Sequence, residues 1–170
     1  TDASGSNVPC QVIQELSALP RFRSRFVFSD TIPSLGYKLY YVHREDPPPV
    51  EAVELKATVS ALENRCYVVE IDATTGGVAS IHDKKTGQNV LLEAAKPLVR
   101  EDKGDIWTFN VSAFGETVGT FIMESASVIE NGPLRAVVRT KSRFNDSYME
   151  QDLILYKDSD TIEGRFRVNW

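Results

Sequence analysis

Histidine, cysteine, methionine and tryptophan are all scarce in this chain of 170 residues, with two of each. Cys10 and Cys66 are too few for the disulfide network of a small secreted domain, and neither has a ligand partner at metal-binding spacing. The sequence therefore predicts two free thiols, each buried within a strand. His43 and His82 belong to separate elements, so no metal site is predicted in this chain.

Long apolar runs and an excess of positive charge are also absent. No run approaches the roughly 20 apolar residues that a membrane-spanning helix needs. The net charge of −5 disfavours nucleic acid, because phosphates attract basic surfaces. The sequence therefore predicts neither a membrane nor a nucleic-acid partner.

An initiator methionine and a secretory signal are missing as well, since the chain opens on a polar stretch. We therefore expect a fragment or a processed product of a longer protein. A bacterial cytoplasmic location is expected from the few cysteines and the missing signal, with a secreted, lysosomal or vacuolar location as the alternative.

What the chain does contain is a succession of short apolar runs separated by turn residues. Helical patterns are few, and the alternation of apolar and polar residues predicts an all-β fold of packed antiparallel sheets. The predicted strands cover residues 11–15, 22–28, 36–43, 50–62, 66–72, 78–82, 89–92, 98–101, 107–111, 120–124, 127–130, 134–139, 148–155 and 162–170. The last of these has a period of two, which predicts one buried apolar face and one wet face.

Residues 63–92 have the clearest local pattern. Tyr67, Val69 and Ile71 share one face of a strand, and the pair Gly76-Gly77 supplies the positive φ that a tight hairpin needs. A second turn at residues 83–87 precedes another short strand. The segment is therefore predicted to form a β-meander.

A run of three prolines at 47–49 interrupts the strand pattern. Proline cannot donate to a sheet ladder and favours an extended form that commonly joins domains. We therefore predict a boundary that separates residues 1–46 from residues 47–170. The alternative is a rigid loop within one domain.

Glycosidic hydrolysis needs two suitably placed carboxylates, or a carboxylate with a metal. None of the acidic residues lies in a recognisable catalytic motif, so all are expected to be solvated and no catalytic residue is assigned. The candidates considered are Glu101, Asp102, Asp105, Asp146, Glu150 and Asp152.

One pair of residues does predict ligand binding. Asp105 and Trp107 follow a flexible turn, and sugars are bound where an aromatic ring stacks on C–H groups while a carboxylate takes the hydroxyls. We therefore predict a substrate-binding role for both. The alternative is that Trp107 is a core residue and Asp105 caps a turn.

Several segments, taken in order, resemble glycoside hydrolase family 38, the α-mannosidases. The first group resembles the second half of the family's small β-domain, and the others resemble the opening and continuation of its large mutarotase-like β-domain. The first group is 8–12, 26–28 and 32–38; the others are 63–72, 76–77, 83–87, 130–136 and 151–170. The resemblance covers nearly the whole chain.

The resemblance implies a supersandwich, here partial and preceded by part of a small β-domain. It implies a parent enzyme that cleaves terminal α-mannosides, with zinc in an N-terminal catalytic domain that these 170 residues do not include. This chain would hold no cofactor itself. Its partners would be that domain, the helical bundle that follows it and the α-mannoside, with a homo-oligomer also possible. The turn before Trp107 lies where the family has a substrate-facing loop.

Two other functions are considered. The first is a free-standing carbohydrate-binding or assembly module without an enzymatic parent, which an all-β chain with a Trp/Asp platform could be. The second is a mutarotase-type sugar epimerase, which needs a converging glutamate and histidine. His82 in a predicted hairpin fits that role poorly.

Overall fold

A computed structural model describes residues 1–13, 25–43, 54–104 and 113–170. Within these ranges the chain forms antiparallel strands and no helix, which confirms the predicted all-β fold. The strands are β1 Cys10–Ile13, β2 Arg25–Phe28, β3 Lys56–Thr58, β4 Ala61–Glu63, β5 Tyr67–Ile71, β6 Val78–Asp83, β7 Gln88–Asn89, β8 Leu98–Arg100, β9 Thr117–Thr120, β10 Ile122–Asn131, β11 Arg135–Phe144, β12 Ser147–Tyr156 and β13 Ile162–Asn169.

Two sheets form the main layers. One contains β10 to β13 in sequence order, and the other contains β3 to β7, the predicted meander with two preceding strands. They share one apolar core because alternate residues of β5, β11 and β12 point inward. Its buried members are Leu55, Leu62, Val69, Ile71, Ala136, Val138, Leu153 and Leu155.

A smaller hairpin of β8 and β9 packs at the far end of the four-stranded sheet. Val99 and Phe121 form a second buried cluster there with Met149, and the ring of Phe144 packs against it. The indole of Trp170 stacks on Phe144 at 6.5 Å between ring centroids. A Cβ on Gly119 would lie 2.4 Å from the Phe144 ring, so glycine is required where this hairpin meets the sheet.

The N-terminal hairpin of β1 and β2 is joined to the four-stranded sheet through one side chain. Gln11 is 7% exposed. Its carbonyl oxygen accepts hydrogen bonds from the amides of Leu134 and Arg135, and its amide donates to the Arg135 carbonyl at 2.9 Å. A Cβ on Gly132 would lie 2.2 Å from the Gln11 amide carbon, so this glycine makes room for the contact.

The strand predicted at residues 36–43 is wrong. Only Tyr40 forms a β-bridge there, to Asp2, and the apolar side chains of the segment are exposed. Asp30 holds the segment as a loop, because its carboxylate accepts hydrogen bonds from Lys38 at 2.6 Å and from the Tyr40 hydroxyl at 3.0 Å. Local polar contacts replace the sheet ladder that the alternation predicted.

Other strand predictions need corrected bounds. Of the strand predicted at 50–62, residues 50–53 lie outside the described residues. The described remainder belongs to two short strands, because the Thr58 hydroxyl accepts the Ala61 amide and closes a turn between β3 and β4. The separate strands predicted at 120–124 and 127–130 fall mainly in one strand, β10, which has two irregularities in register, while Thr120 ends β9. Of the strand predicted at 89–92, only Asn89 lies in a strand, β7.

Two burial predictions also fail. The cysteines are free, as predicted, but both are half-buried. The predicted apolar face of the last strand is exposed over much of its length, because the second layer covers only its beginning at Ile162. The ends predicted at 14–15 and 22–24, the strand at 107–111 and the boundary between residues 46 and 47 lie outside the described residues.

Candidate functional site

Asp105 and Trp107, the predicted substrate-binding pair, lie outside the described residues, so their role stays a prediction. The described residues on either side of them form a hairpin stem. The Glu101 amide donates to the Glu116 carbonyl at 3.0 Å, and the Gly115 amide donates to the Glu101 carbonyl at 2.9 Å. These two hydrogen bonds continue the pairing of the stem past the end of β8 and before the start of β9.

The most organised polar site of the described chain is the turn at residues 72–77, which lies against the four-stranded sheet. One carboxylate oxygen of Asp72 accepts the amides of Thr74 and Thr75 and the hydroxyl of Thr75. The Gly76 amide donates to the Asp72 carbonyl at 2.8 Å. These bonds lock the turn from within.

The same turn is bound to β11 and β12 by buried side chains. Thr140 donates to the Gly76 carbonyl at 3.2 Å, and Ser142 donates to the Thr75 carbonyl at 3.0 Å. The amide of Gln151 adds a longer bond of 3.4 Å to the Gly76 carbonyl. All three side chains are at most 3% exposed. Such buried polar groups are costly unless paired, so this network fixes the turn on the sheet.

Each glycine of the pair is required for its own reason. Gly76 has a φ of 75°, and a Cβ there would lie 3.0 Å from the Ser142 hydroxyl. A Cβ on Gly77 would lie 2.2 Å from the Ala95 carbonyl oxygen, where the backbone forms a β-bridge with Val78. The predicted hairpin is confirmed, but only Gly76 supplies the positive φ, and it also makes room where the two layers meet. Gly77 instead makes room for the bridge to Ala95.

Asn64 is a second buried polar anchor, and its side chain is fully buried. Its amide donates to the carbonyls of Tyr156 and Ser159, and its oxygen accepts the amides of Cys66 and Tyr67. One side chain thus ties the start of β5 to the turn after β12. These four hydrogen bonds use both the amide group and the oxygen of the Asn64 side chain, and all four stabilise the fold.

The acidic residues considered for catalysis were all expected to be solvated. This prediction is wrong for some of them, which form ion pairs. Asp152 pairs with Arg139 through two hydrogen bonds of 2.6 and 2.8 Å, a fork geometry that is strong and directional. Glu150 lies 3.0 Å from Arg167 and 3.3 Å from Lys141. These carboxylates link three neighbouring strands, β11, β12 and β13.

Charged partners and backbone amides shift the pKa values of several groups in the described chain. The Lys84 ammonium, which donates to Glu63 at 2.7 Å, lowers the pKa of that carboxyl. The backbone amides of Thr75 and Thr74 lower the pKa of Asp72. Hydrogen bonding to Asp152 raises the pKa of Arg139. All three shifts favour the charged, structural form of the group.

Glu63 and Lys84 also line a cleft of about 190 Å³ with Glu54, Lys56 and Arg65. Lys84 is engaged there by Glu63 and by the Asn64 carbonyl at 2.7 Å. The cleft therefore contains structural ion pairs, and its walls are charged rather than aromatic.

The described residues contain no group of three or more histidine, cysteine, aspartate or glutamate side chains able to hold a metal ion. The zinc that the family resemblance implies was expected in a separate catalytic domain, and no chemical step is assigned to it here. No helix of that part is long and apolar enough to cross a membrane.

The anchoring residues were missed by sequence reasoning, although the pattern held a usable indication. Thr140 and Ser142 lie on the same face of β11 as the buried Ala136 and Val138, because all four are an even number of residues apart. Gln151 likewise lies on the same face of β12 as Met149 and Leu153. A polar residue at an inward position of a strand is expected to have a specific partner.

The fold and these anchors define a two-layer antiparallel β-unit. Residues 62–170, more than half of the chain, match the family model of the glycosyl hydrolases family 38 C-terminal domain. The chain therefore belongs to glycosyl hydrolase family 38, as its ordered segments predicted. The match begins within β4, so it covers the four-stranded sheet and the other main layer except β3 and the start of β4. A comparison with curated proteins found no significant match.

Proposed function

We propose that this chain is the non-catalytic β-region of an α-mannosidase-like glycoside hydrolase that cleaves terminal α-mannosides. The family match over residues 62–170 carries the proposal, because the matched residues build most of the two packed layers. In this proposal the β-region supports a catalytic domain that holds zinc. The compartment and any homo-oligomeric state stay predictions.

The buried anchors support a scaffolding role. Side chains that could bind a ligand or move a proton are instead held by neighbouring strands, as with Asp152 and Arg139 or with Asn64. A rigid sheet is a suitable platform for loops that reach a substrate, since sites are placed more accurately on rigid elements. We therefore assign any substrate contact to Asp105 and Trp107, beyond the β8–β9 stem.

An activity assay tests the scaffolding role. The isolated chain, supplied with zinc, is expected to leave an aryl α-mannoside intact, whereas a full-length parent enzyme hydrolyses it. Turnover by the isolated chain above the buffer rate would contradict the non-catalytic assignment. A parent enzyme active only on other sugars would contradict the substrate class and leave the scaffold assignment standing.

The substrate contact is tested in the full-length parent. Trp107→Ala is expected to lower kcat/KM by up to about tenfold with little change in Tm, since an aromatic contact contributes roughly 0.5–1.5 kcal/mol beyond its buried area. Trp107→Phe keeps an aromatic face and should retain most of the activity. A large drop in Tm for Trp107→Ala would show instead that the indole belongs to the core.

A free-standing carbohydrate-binding or assembly module is the second candidate function. Titration of the isolated chain with mannobiose separates it from the first. The scaffold proposal predicts no saturable binding by the isolated chain, whereas a binding module would saturate and lose that binding with Trp107→Ala.

A further inference from the structure

The turn that joins β10 to β11 contains the one asparagine of this chain that is followed by glycine, Asn131. Glycine has no Cβ to shield its backbone nitrogen, so in a peptide that is free to rotate this nitrogen can attack the asparagine side chain. Asn131 is exposed at the end of β10, where water reaches it. The turn therefore contains the reactants of a spontaneous deamidation.

Backbone hydrogen bonds hold the turn against this reaction. Asn131 pairs with Ala136 at the end of the ladder between β10 and β11, and the Gly132 amide donates to the Arg135 carbonyl at 3.2 Å. For attack, the peptide unit between Asn131 and Gly132 must rotate out of the ladder, so the Gly132 nitrogen must leave the Arg135 carbonyl. Deamidation of the folded chain thus requires local opening of the turn.

The side chain of Gln11 closes over this turn from the N-terminal hairpin and is 7% exposed. Its oxygen accepts the amides of Leu134 and Arg135 at 2.9 and 2.8 Å, and its amide donates to the same Arg135 carbonyl that holds Gly132. The Gln11 amide group also occupies the space that a Cβ on Gly132 would need. We call these contacts with residues 132–135 the Gln11 clasp. Opening the turn breaks the clasp as well as the backbone bond.

We propose that Asn131 is a site of spontaneous deamidation and that the Gln11 clasp controls its rate. The Gly132 nitrogen attacks the Asn131 Cγ and forms a C–N bond, while its proton passes to solvent. The side-chain nitrogen takes a proton from solvent and leaves as ammonia, which produces a cyclic imide. Water then adds to one carbonyl of the imide and opens the ring. The product is aspartate or an isoaspartyl linkage, and no oxidant or reductant is needed.

The modification acts on the joint between the N-terminal hairpin and the four-stranded sheet. An isoaspartyl linkage lengthens the backbone by one carbon atom directly before Gly132, which lies against the Gln11 side chain. The longer backbone shifts Gly132 relative to Leu134 and Arg135, the residues that Gln11 binds. Isoaspartate at this position therefore weakens the clasp, and a weaker clasp exposes further molecules only through local opening.

Peptide mapping by mass spectrometry during incubation at mildly alkaline pH tests the proposal. The folded wild type is expected to gain slowly, in the peptide that contains Asn131, the mass difference between an amide and a carboxyl group. Gln11→Ala should raise this rate about tenfold, which corresponds to about 1.4 kcal/mol, because it removes three hydrogen bonds that keep the turn closed. The matched control Gln88→Ala replaces an exposed glutamine of β7 and should leave the rate unchanged.

Incubation in urea gives the rate without the fold. There the wild type and Gln11→Ala should deamidate Asn131 equally fast, and faster than the folded wild type. Circular dichroism checks folding without urea. If Gln11→Ala does not fold, Gln11→Glu replaces it. Its carboxylate still accepts both amides but cannot donate to the Arg135 carbonyl, so the rate should rise by a smaller factor.

Two results would overturn the proposal. One is an Asn131 that stays unmodified in the folded wild type and in the folded Gln11 variant over times that modify it in urea. The other is an equal rate in the folded wild type and the folded Gln11 variant, which would show that the clasp does not control the reaction.

Discussion

The turns at residues 72–77 and 83–87 have the same internal construction in opposite surroundings. In each, an aspartate carboxylate accepts two following amides, and a glycine amide four residues later donates to the aspartate carbonyl at 2.8 Å. Gly76 and Gly87 both have positive φ, at 75° and 71°. A Cβ on Gly76 would contact the four-stranded sheet, whereas a Cβ on Gly87 would meet nothing within 4 Å.

The comparison separates local from tertiary causes. Both turns form because aspartate and glycine suit the local geometry. Only the first turn is bound to the four-stranded sheet, through the hydroxyl groups of Thr140 and Ser142. The segment that is most distinctive in the sequence is therefore a joint between layers as well as a hairpin.

The largest expected difference is in the free energy of unfolding of three glycine variants. Gly77→Ala should lose about 3 kcal/mol, because the new Cβ meets the Ala95 carbonyl. Gly76→Ala should lose about 2 kcal/mol from its positive φ and its contact with the sheet. Gly87→Ala should lose about 1 kcal/mol from φ alone. Urea unfolding measures all three, and equal losses would contradict the distinction between the turns.

Removing hydroxyl groups tests the joint without changing the turn. Ser142→Ala leaves the buried Thr75 carbonyl without this donor and should lower the free energy of unfolding by about 1–2 kcal/mol. The control Thr86→Ala, in the exposed turn, should change it by less than about 0.5 kcal/mol. If both variants unfold at the same urea concentration as the wild type, the buried network does not hold the layers together.

The smallest expected effect is in the dependence of stability on pH. The pKa values of Asp72 and Asp83 are both lowered by backbone hydrogen bonds. A lowered folded-state pKa gives stability that is present above the ordinary value of 3.8 and is lost as pH falls below it. Asp72→Asn should therefore reduce the loss of stability between about pH 6 and about pH 3. An unchanged loss would show that Asp72 does not contribute to it.

Local patterns predicted the elements well in several hairpins whose strands follow one another in the sequence. The meander of β5 and β6 and the hairpins of β11 to β13 follow from alternation and turn residues. The segment 36–43 has equally good alternation, yet forms a loop around Asp30. A period of two predicts that one face of a strand is apolar, but it does not predict whether another element covers that face. The exposed side chains of Phe166 and Val168 are a second example.

The polar anchors could be predicted only in part. Thr140, Ser142 and Gln151 are unusual because they are polar residues at inward positions of their strands. The residues that they bind, however, lie 64 to 75 residues away in sequence. The Gln11 contact spans 124 residues. Pairings at such separations depend on how the layers pack, which no local pattern encodes. For Asp105 and Trp107 the sequence remains the basis of the prediction.

Amide hydrogen exchange of the two turns most directly tests the claim that the double-glycine turn joins the layers. We expect the amides of Gly76 and Gly77 to exchange as slowly as those of Ala136 and Val138 in the core strand, because the turn opens only when the layers separate. The Gly87 amide should exchange much faster through local opening. If Gly76 and Gly87 exchange at the same fast rate, the turn is a surface hairpin and the account is contradicted.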